Sequence, residues 1–438
     1  MPGGKFFLSG TVVAMHNRGR IGYLVELLPG KENYMTTKTA VGIVLAVALI
    51  ATPVLAQDAT AVAKATAEVA PPAAAPTPAA LGPSLSGPLA GNGAPTNFDL
   101  GSFGKISVTG VVSSIGRFQS HAVGGSGDKG SFGDISNGQL FIQKADGVFQ
   151  FYVQAGIYSL PSLGAPYVRA SRLNELTYGP IPQAFIKIAP TTSLSFEVGK
   201  LPTLIGAEYT FTFENMNVDR GLLWNQENAV NKGVQVNYTH GPLAFSLSLN
   251  DGFYSSKYSY LTGSVAWTID PADILAFVGG GNTKTTTKST FATPGLLNNS
   301  QIYNIIYTRT KGPWVFQPYV QYTHVDSLLA QFGTTSASTI GGAILAKYSF
   351  MPEFSLPVRV EYISSSGKPG GTAANFLYGT GSKAFSLTVS PTYQYKILFA
   401  RADVSYVKAS HTTAGAAFGT LGNDRSQTRG VIEVGVLF

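Results

Sequence analysis

Lys105, Arg117, Lys187, Glu197, Lys347, Arg359, Glu361, Arg401, Asp403, Arg429 and Glu433 share one property. Each falls on the polar beat of an apolar/polar alternation. A second group, Glu208, Glu214, Asp219, Arg220 and Glu227, is crowded into the longest stretch where that alternation stops. Fixed charges in these two settings can act without performing a reaction. Acids on a loop, set opposite basic groups on a wall, create a transverse field that orders water and filters solutes. The competing reading is that wall charges pair with one another and simply brace the sheet. Both readings stand for every residue named.

Catalytic chemistry finds little support. His16, His121, His240, His324 and His411 are scattered, and none has metal-ligand spacing. No G-x-S-x-G nucleophile elbow accompanies the Ser, His and Asp residues. Cysteine is absent, which excludes disulfides and thiolate metal sites. Gly125-Ser-Gly127-Asp-Lys-Gly130 matches a dinucleotide-binding pattern but lacks a preceding strand and a following helix, so it reads as an external loop. Asn237-Tyr-Thr239 and Asn298-Asn-Ser300 match glycosylation sequons, and no site is assigned to them. No catalytic residue, cofactor or metal is assigned. The formal net charge of +7 contains no Lys/Arg cluster resembling a nucleic-acid footprint.

What must position the charges is a sheet. In "LAFSLSLN", Leu243, Phe245, Leu247 and Leu249 alternate with Ser246, Ser248 and Asn250. "GVQVNYT", "PWVFQPYVQYT" and "AFSLTVSPTY" keep the same two-residue beat, which places apolar side chains on one face of a strand. Such runs cover 104–118, 137–144, 148–158, 182–189, 193–200, 232–239, 243–250, 259–269, 273–281, 300–309, 314–325, 338–349, 355–364, 382–393, 397–408 and 428–438, sixteen in all. Short connections ("ADG", "APTT", "THGP", "DPAD", "TKGP", "FMPEF", "YQY") alternate with long ones near 119–136, 159–181, 201–231, 251–258, 282–299, 326–337, 365–381 and 409–427. A soluble sandwich has no reason to keep every second connection short. A transmembrane barrel does, with tight periplasmic turns on one rim and long external loops on the other.

The expected fold is therefore all-β: a closed antiparallel transmembrane β-barrel of about 16 strands, with one loop folded into the lumen. A composition with 12% charged residues, 50 Gly, 26 Phe and 21 Tyr suits that architecture. A Lys or Arg facing lipid at midplane would cost ~2–4 kcal/mol, so the charged beat must face a wet interior. The chain closes on "RGVIEVGVLF", where Ile432, Val434, Val436 and Phe438 would face lipid and the run would pair with the first strand. An ending of this kind resembles the sorting signal that the assembly machinery of outer-membrane barrels reads.

Upstream of the barrel, residues 35–56 read as a signal peptide. Lys38 supplies the positive region, Val41 to Ile50 the apolar core, and Val54-Leu55-Ala56 the cleavage site. Residues 1–34 precede it as an atypical or non-translated extension. Residues 57–96, rich in Ala and Pro, read as a disordered periplasmic leader with no site assigned. The barrel domain is 97–438.

Family likeness enters at the longest break. "GKLPTLIGAEYTF", "NVDRGLLW", "NKGVQVNY" and "SLSLNDGFYS" resemble the OmpL-like β-barrel porins of Gram-negative bacteria, most strongly over 180–260. That resemblance implies an outer-membrane location and a pore. The break at 201–231 also resembles, by position and length after the fifth strand, the loop that narrows general diffusion porins. Leu222, Leu223 and Trp224 would anchor it, and an ordinary external loop is the alternative. The functional expectation is passive diffusion of ions and small hydrophilic solutes, with outer-membrane lipids and the assembly machinery as partners and a homotrimer as the assembly usual for such porins. A structural or adhesive barrel with a closed lumen is the alternative; a barrel-borne enzyme lacks a catalytic constellation.

Overall fold

In strand β14 (Phe354–Ser365), Arg359, Glu361 and Ile363 are buried, while Val360 and Tyr362 between them are exposed. The alternation of residue type has become an alternation of environment. The computed structural model describes residues 85, 87–123 and 128–438. The readings placed on 1–34, 35–56, 57–84 and Gly125–Gly127 lie outside the described residues.

The other strands are β1 (Thr96–Asp99), β2 (Lys105–Gln119), β3 (Ser131–Lys144), β4 (Phe149–Tyr158), β5 (Gln183–Ile188), β6 (Leu194–Pro202), β7 (Val230–His240), β8 (Leu243–Asn250) and β9 (Tyr260–Asp270). After these come β10 (Asp273–Asn282), β11 (Gln301–Lys311), β12 (Trp314–Val325), β13 (Ala337–Met351), β15 (Lys383–Val389), β16 (Thr392–Tyr395), β17 (Leu398–Ser410) and β18 (Ser426–Leu437). Each strand from β2 to β14 pairs antiparallel with the next, and β18 returns to pair with β2. The ring is closed, leaving no unpaired edge in hydrocarbon.

Sixteen staves make the ring. Strands β15 and β16 are two halves of one stave, since both pair with β14 on one side and β17 on the other. Pro391 sits at the break, where its missing N–H cannot serve the ladder. Strand β1 is a short addition at the rim, pairing with Lys105–Val108 of β2 below the point where β18 ends.

Two boundaries differ from expectation. Strand β3 starts at Ser131, because a bulge opposite Ser113/Ser114 inserts Ser136 and shifts the two-residue beat. The last short turn falls at Lys396-Ile397, so "YQY" belongs to β16.

The outer face carries a continuous apolar band that includes Val234, Leu247, Phe277, Ile305, Val320 and Val434. Aromatic side chains gather toward the short-turn rim, where Trp314 packs on Tyr348 with ring centroids 4.6 Å apart. Val434 of β18 and Phe438 just after it are outward and exposed, whereas Arg429 and Glu433 are buried inside. Phe438 is tied into the seam, its N–H donating to Gly110 O at 2.9 Å and its carbonyl accepting from Gly110 N–H at 2.7 Å.

Candidate functional site

The inward charges divide into two groups. Arg117 (β2), Arg359 and Glu361 (β14), Arg401 and Asp403 (β17), and Arg429 and Glu433 (β18) occupy neighbouring staves around the seam and are all 2% exposed or less. Arg401 and Glu433 are directly cross-strand, and their ion pair measures 2.7 Å. The second group sits in wetter positions. Lys187 faces Glu197 across β5 and β6 at 3.6 Å, Lys347 is half-buried on β13, and Lys105 is exposed at the rim of β2.

Residues 203–229 supply the other half of the buried cluster. Glu208 accepts from Arg359 Nη1 at 2.5 Å, and Gly221 N–H donates to the other oxygen of Glu208 at 2.7 Å. Asp219 accepts from Arg117 at 2.8 Å and from Arg429 at 2.9 Å. Its backbone N–H donates to Asp403 at 2.8 Å, and its carbonyl accepts from Arg359 at 2.8 Å. Arg401 donates to the carbonyls of Thr212 and Asn215, while the Thr212 hydroxyl donates to Glu433. The N–H groups of Leu222 and Leu223 donate to Glu361. Only glycine fits at 221, since a Cβ there would lie 2.1 Å from Glu361 Oε1.

The same segment is bonded to the staves that continue the ring beyond β14. Gln321 of β12 donates to Leu223 O at 3.0 Å, Gly206 N–H donates to Asn304 of β11 at 3.2 Å, and Thr339 of β13 donates to Gln226 at 2.7 Å. Leu222 and Leu223 are fully buried in one apolar cluster with Ile205, Tyr260, Ile302 and Tyr319. Phe211 and Phe213 join a second cluster with Phe141, Tyr152 and Phe185 of β3, β4 and β5.

Electrostatics within the segment follow from burial. Asp219 is pushed up by burial, but Arg117 and Arg429 outweigh that and hold it at about 2. Burial raises Glu214 to about 8, against the opposing pull of the Phe211 N–H that it accepts at 2.9 Å. Glu227 is also driven upward by burial, with Glu208 and Glu361 adding repulsion. Arg220 is lowered to about 10 by burial, although Glu208 and Asp219 oppose the shift. Its guanidinium lies 4.6 Å from the Trp224 ring centroid, and none of its three nitrogens has a hydrogen-bond partner.

Two readings were open for these charges, a transverse field and pairing that braces the wall. Glu208 and Asp219 touch the wall arginines in buried ion pairs. At this distance and burial, each charge is neutralised by its neighbour and sends little field into solvent. Arg220 and Glu227 stand outside those pairs.

The sequence did not single out the neutral groups that complete the network, among them Thr212, Asn215, Gln321 and Ser390, the last bonded to both Asn217 and Asp403. Nor did it single out 159–181, read as an external loop. Arg429 donates to Ser162 O at 2.8 Å, Leu163 N–H donates to Arg220 O at 2.8 Å, and the Tyr167 ring lies 4.8 Å from the Arg117 guanidinium. The available signal was apolar: Leu160, Leu163 and Tyr167 are costly ornaments for a loop meant only for water.

Residues 105–438 match the family described as "Putative beta-barrel porin-2, OmpL-like". The chain belongs to that family. It is a porin-like barrel of the Gram-negative outer membrane. Its fold is similar to that of OmpT, an outer membrane protein of Vibrio cholerae, in two forms. For the loop L8 deletion mutant, identity is 13%, the TM-score is 0.50, and 76% of this chain and 99% of that chain are covered. For the in-vitro folded protein the values are 12%, 0.50, 76% and 97%. The outer membrane channel DcaP of Acinetobacter baumannii aligns at 11% identity with a TM-score of 0.49, over 76% of this chain and 97% of that one. Among curated proteins, none matches the chain.

Proposed function

We propose that the protein is a channel for passive diffusion of ions and small hydrophilic solutes, in which residues 203–229 lie across the lumen and set its narrowest point. One observation supports this reading: the segment touches staves half the ring apart, with Phe211 and Phe213 packed in a cluster with Tyr152 of β4 and Leu223 O accepting from Gln321 of β12. A loop held at both flanks is positioned to define a cross-section. Glu208, Asp219, Arg359 and Arg429 then serve as its anchors, while Lys187, Glu197 and Lys347 line the wetter part of the lumen and meet the solute. No enzymatic role is assigned. The outward strip Ile432, Val434, Val436 and Phe438 is the part offered to the assembly machinery, and a homotrimer in outer-membrane lipid is the expected assembly.

The test is planar-bilayer conductance of the purified protein and of a variant lacking 206–228. Stepwise openings, larger in the deletion, are expected. An unchanged step would reject the constriction role. Silence from both proteins would favour the second reading, a structural or adhesive barrel with a closed lumen. The close apolar packing of the segment against both flanks gives that reading its support.

A further inference from the structure

The inner wall breaks its own pattern near the short-turn rim. Val111 (β2), Phe141 (β3), Phe399 (β17) and Leu437 (β18) occupy inward positions, where a wet lumen calls for polar side chains, yet each is 4% exposed or less. They share one buried apolar cluster with Leu89, a residue that precedes the barrel in sequence and is 3% exposed. Leu85 packs against the same cluster.

Polar contacts fix the register of that insertion. Ala90 N–H donates to Gln394 Oε1 at 2.8 Å, and Gln394 Nε2 donates back to Ala90 O at 2.9 Å. Gln394 lies on β16 at an inward position, so it grips the backbone of residue 90 on both sides, as a neighbouring strand would. Gly87 packs against the end of Lys347, where a Cβ would come within 2.9 Å of Nζ. Lys347 and Gln394 belong to different staves, β13 and β16, and both reach the same short piece of chain. Immediately afterwards the chain returns to the rim as β1.

We propose that residues 87–91 are a built-in ligand of the barrel's periplasmic mouth, with Leu89 as the anchor that covers the inward apolar patch and Gln394 as the clamp. The patch is apolar because its neighbours are other parts of the chain and not water: the leader at Leu89 and, beside Phe141, the Phe213 ring 5.6 Å away. Docked there, the leader obstructs the mouth, and its release opens it. The obstruction rests on the channel reading; the docking does not.

Because the natural chain has no cysteine, single-cysteine variants report on this site cleanly. In full-length protein, Leu89→Cys should react with a membrane-impermeant maleimide at least about ten-fold more slowly than the exposed Ala94→Cys, since reaction requires local opening. Adding Gln394→Ala should speed Leu89→Cys labelling and leave Ala94→Cys unchanged. Labelling of Leu89→Cys as fast as Ala94→Cys would overturn the docking, whether or not the protein conducts. In a conducting protein, deletion of 57–91 should raise unitary conductance or open-state occupancy, and deletion of 57–84 should not. Equal conductance in the two deletions would overturn the obstruction.

Discussion

Arg117 Nη2 donates to Asp219 Oδ1 at 2.8 Å with both side chains fully buried, and the same carboxylate holds Arg429 at 2.9 Å. Arg117 is on β2 and Arg429 is on β18, the two strands that close the ring. One carboxylate of residues 203–229 therefore spans the seam.

Removing that carboxylate leaves two buried guanidinium groups without their shared partner. Asp219→Ala should destabilise the barrel by about 3–5 kcal/mol, the usual cost of breaking one partner out of a buried pair. Asp219→Asn, which keeps the size and one acceptor, should fall between the variant and the natural protein. Thermal unfolding in detergent, followed by loss of β-sheet circular dichroism, reads this directly. A midpoint unchanged in Asp219→Ala would mean that the seam does not depend on the bridge.

Glu214 gives a pH dependence of known sign. An ordinary glutamate titrates near 4.5, and burial moves Glu214 to about 8 in the folded protein. A raised carboxyl favours the folded state when protonated, so its cost is absent below pH 4.5, grows as pH rises to 8, and is constant above that. Asp219, held at about 2, stays ionised throughout this window and contributes no slope there. Melting temperature measured from pH 5 to pH 9 should therefore fall less in Glu214→Gln than in the natural protein. Parallel curves would show that Glu214 is not the titrating group.

Arg220 and Arg359 are both fully buried, yet loss of charge should cost them very different amounts. Arg359 pairs with Glu208 and Glu361, so Arg359→Met strands two carboxylates and should cost about 3–5 kcal/mol. The Arg220 guanidinium has no hydrogen-bond partner and offers mainly its packing over Trp224, a contact worth about 2 kcal/mol when desolvated. Urea titration of Arg220→Met should accordingly show a much smaller loss than Arg359→Met. Equal losses would show that the long-range pull of the surrounding acids on Arg220 matters as much as a direct ion pair.

Every stave was legible from the sequence because side chains of a strand alternate strictly between two faces, and lipid outside with polar groups inside makes that alternation visible in residue type. Val434 and Arg429 declared their faces before any fold was known. Ser131–Ser136 did not, because a bulge advances the beat by one residue and disguises a strand as a loop. What no local pattern could supply was partnership. Asp219 is 102 residues from Arg117 and 210 from Arg429, and Ala90 is 304 from Gln394. Those contacts exist only once the ring has closed and brought distant staves around a common interior. The sequence determined which side chains would face inward; closure decided whether they would meet water, a counter-charge or another part of the same chain.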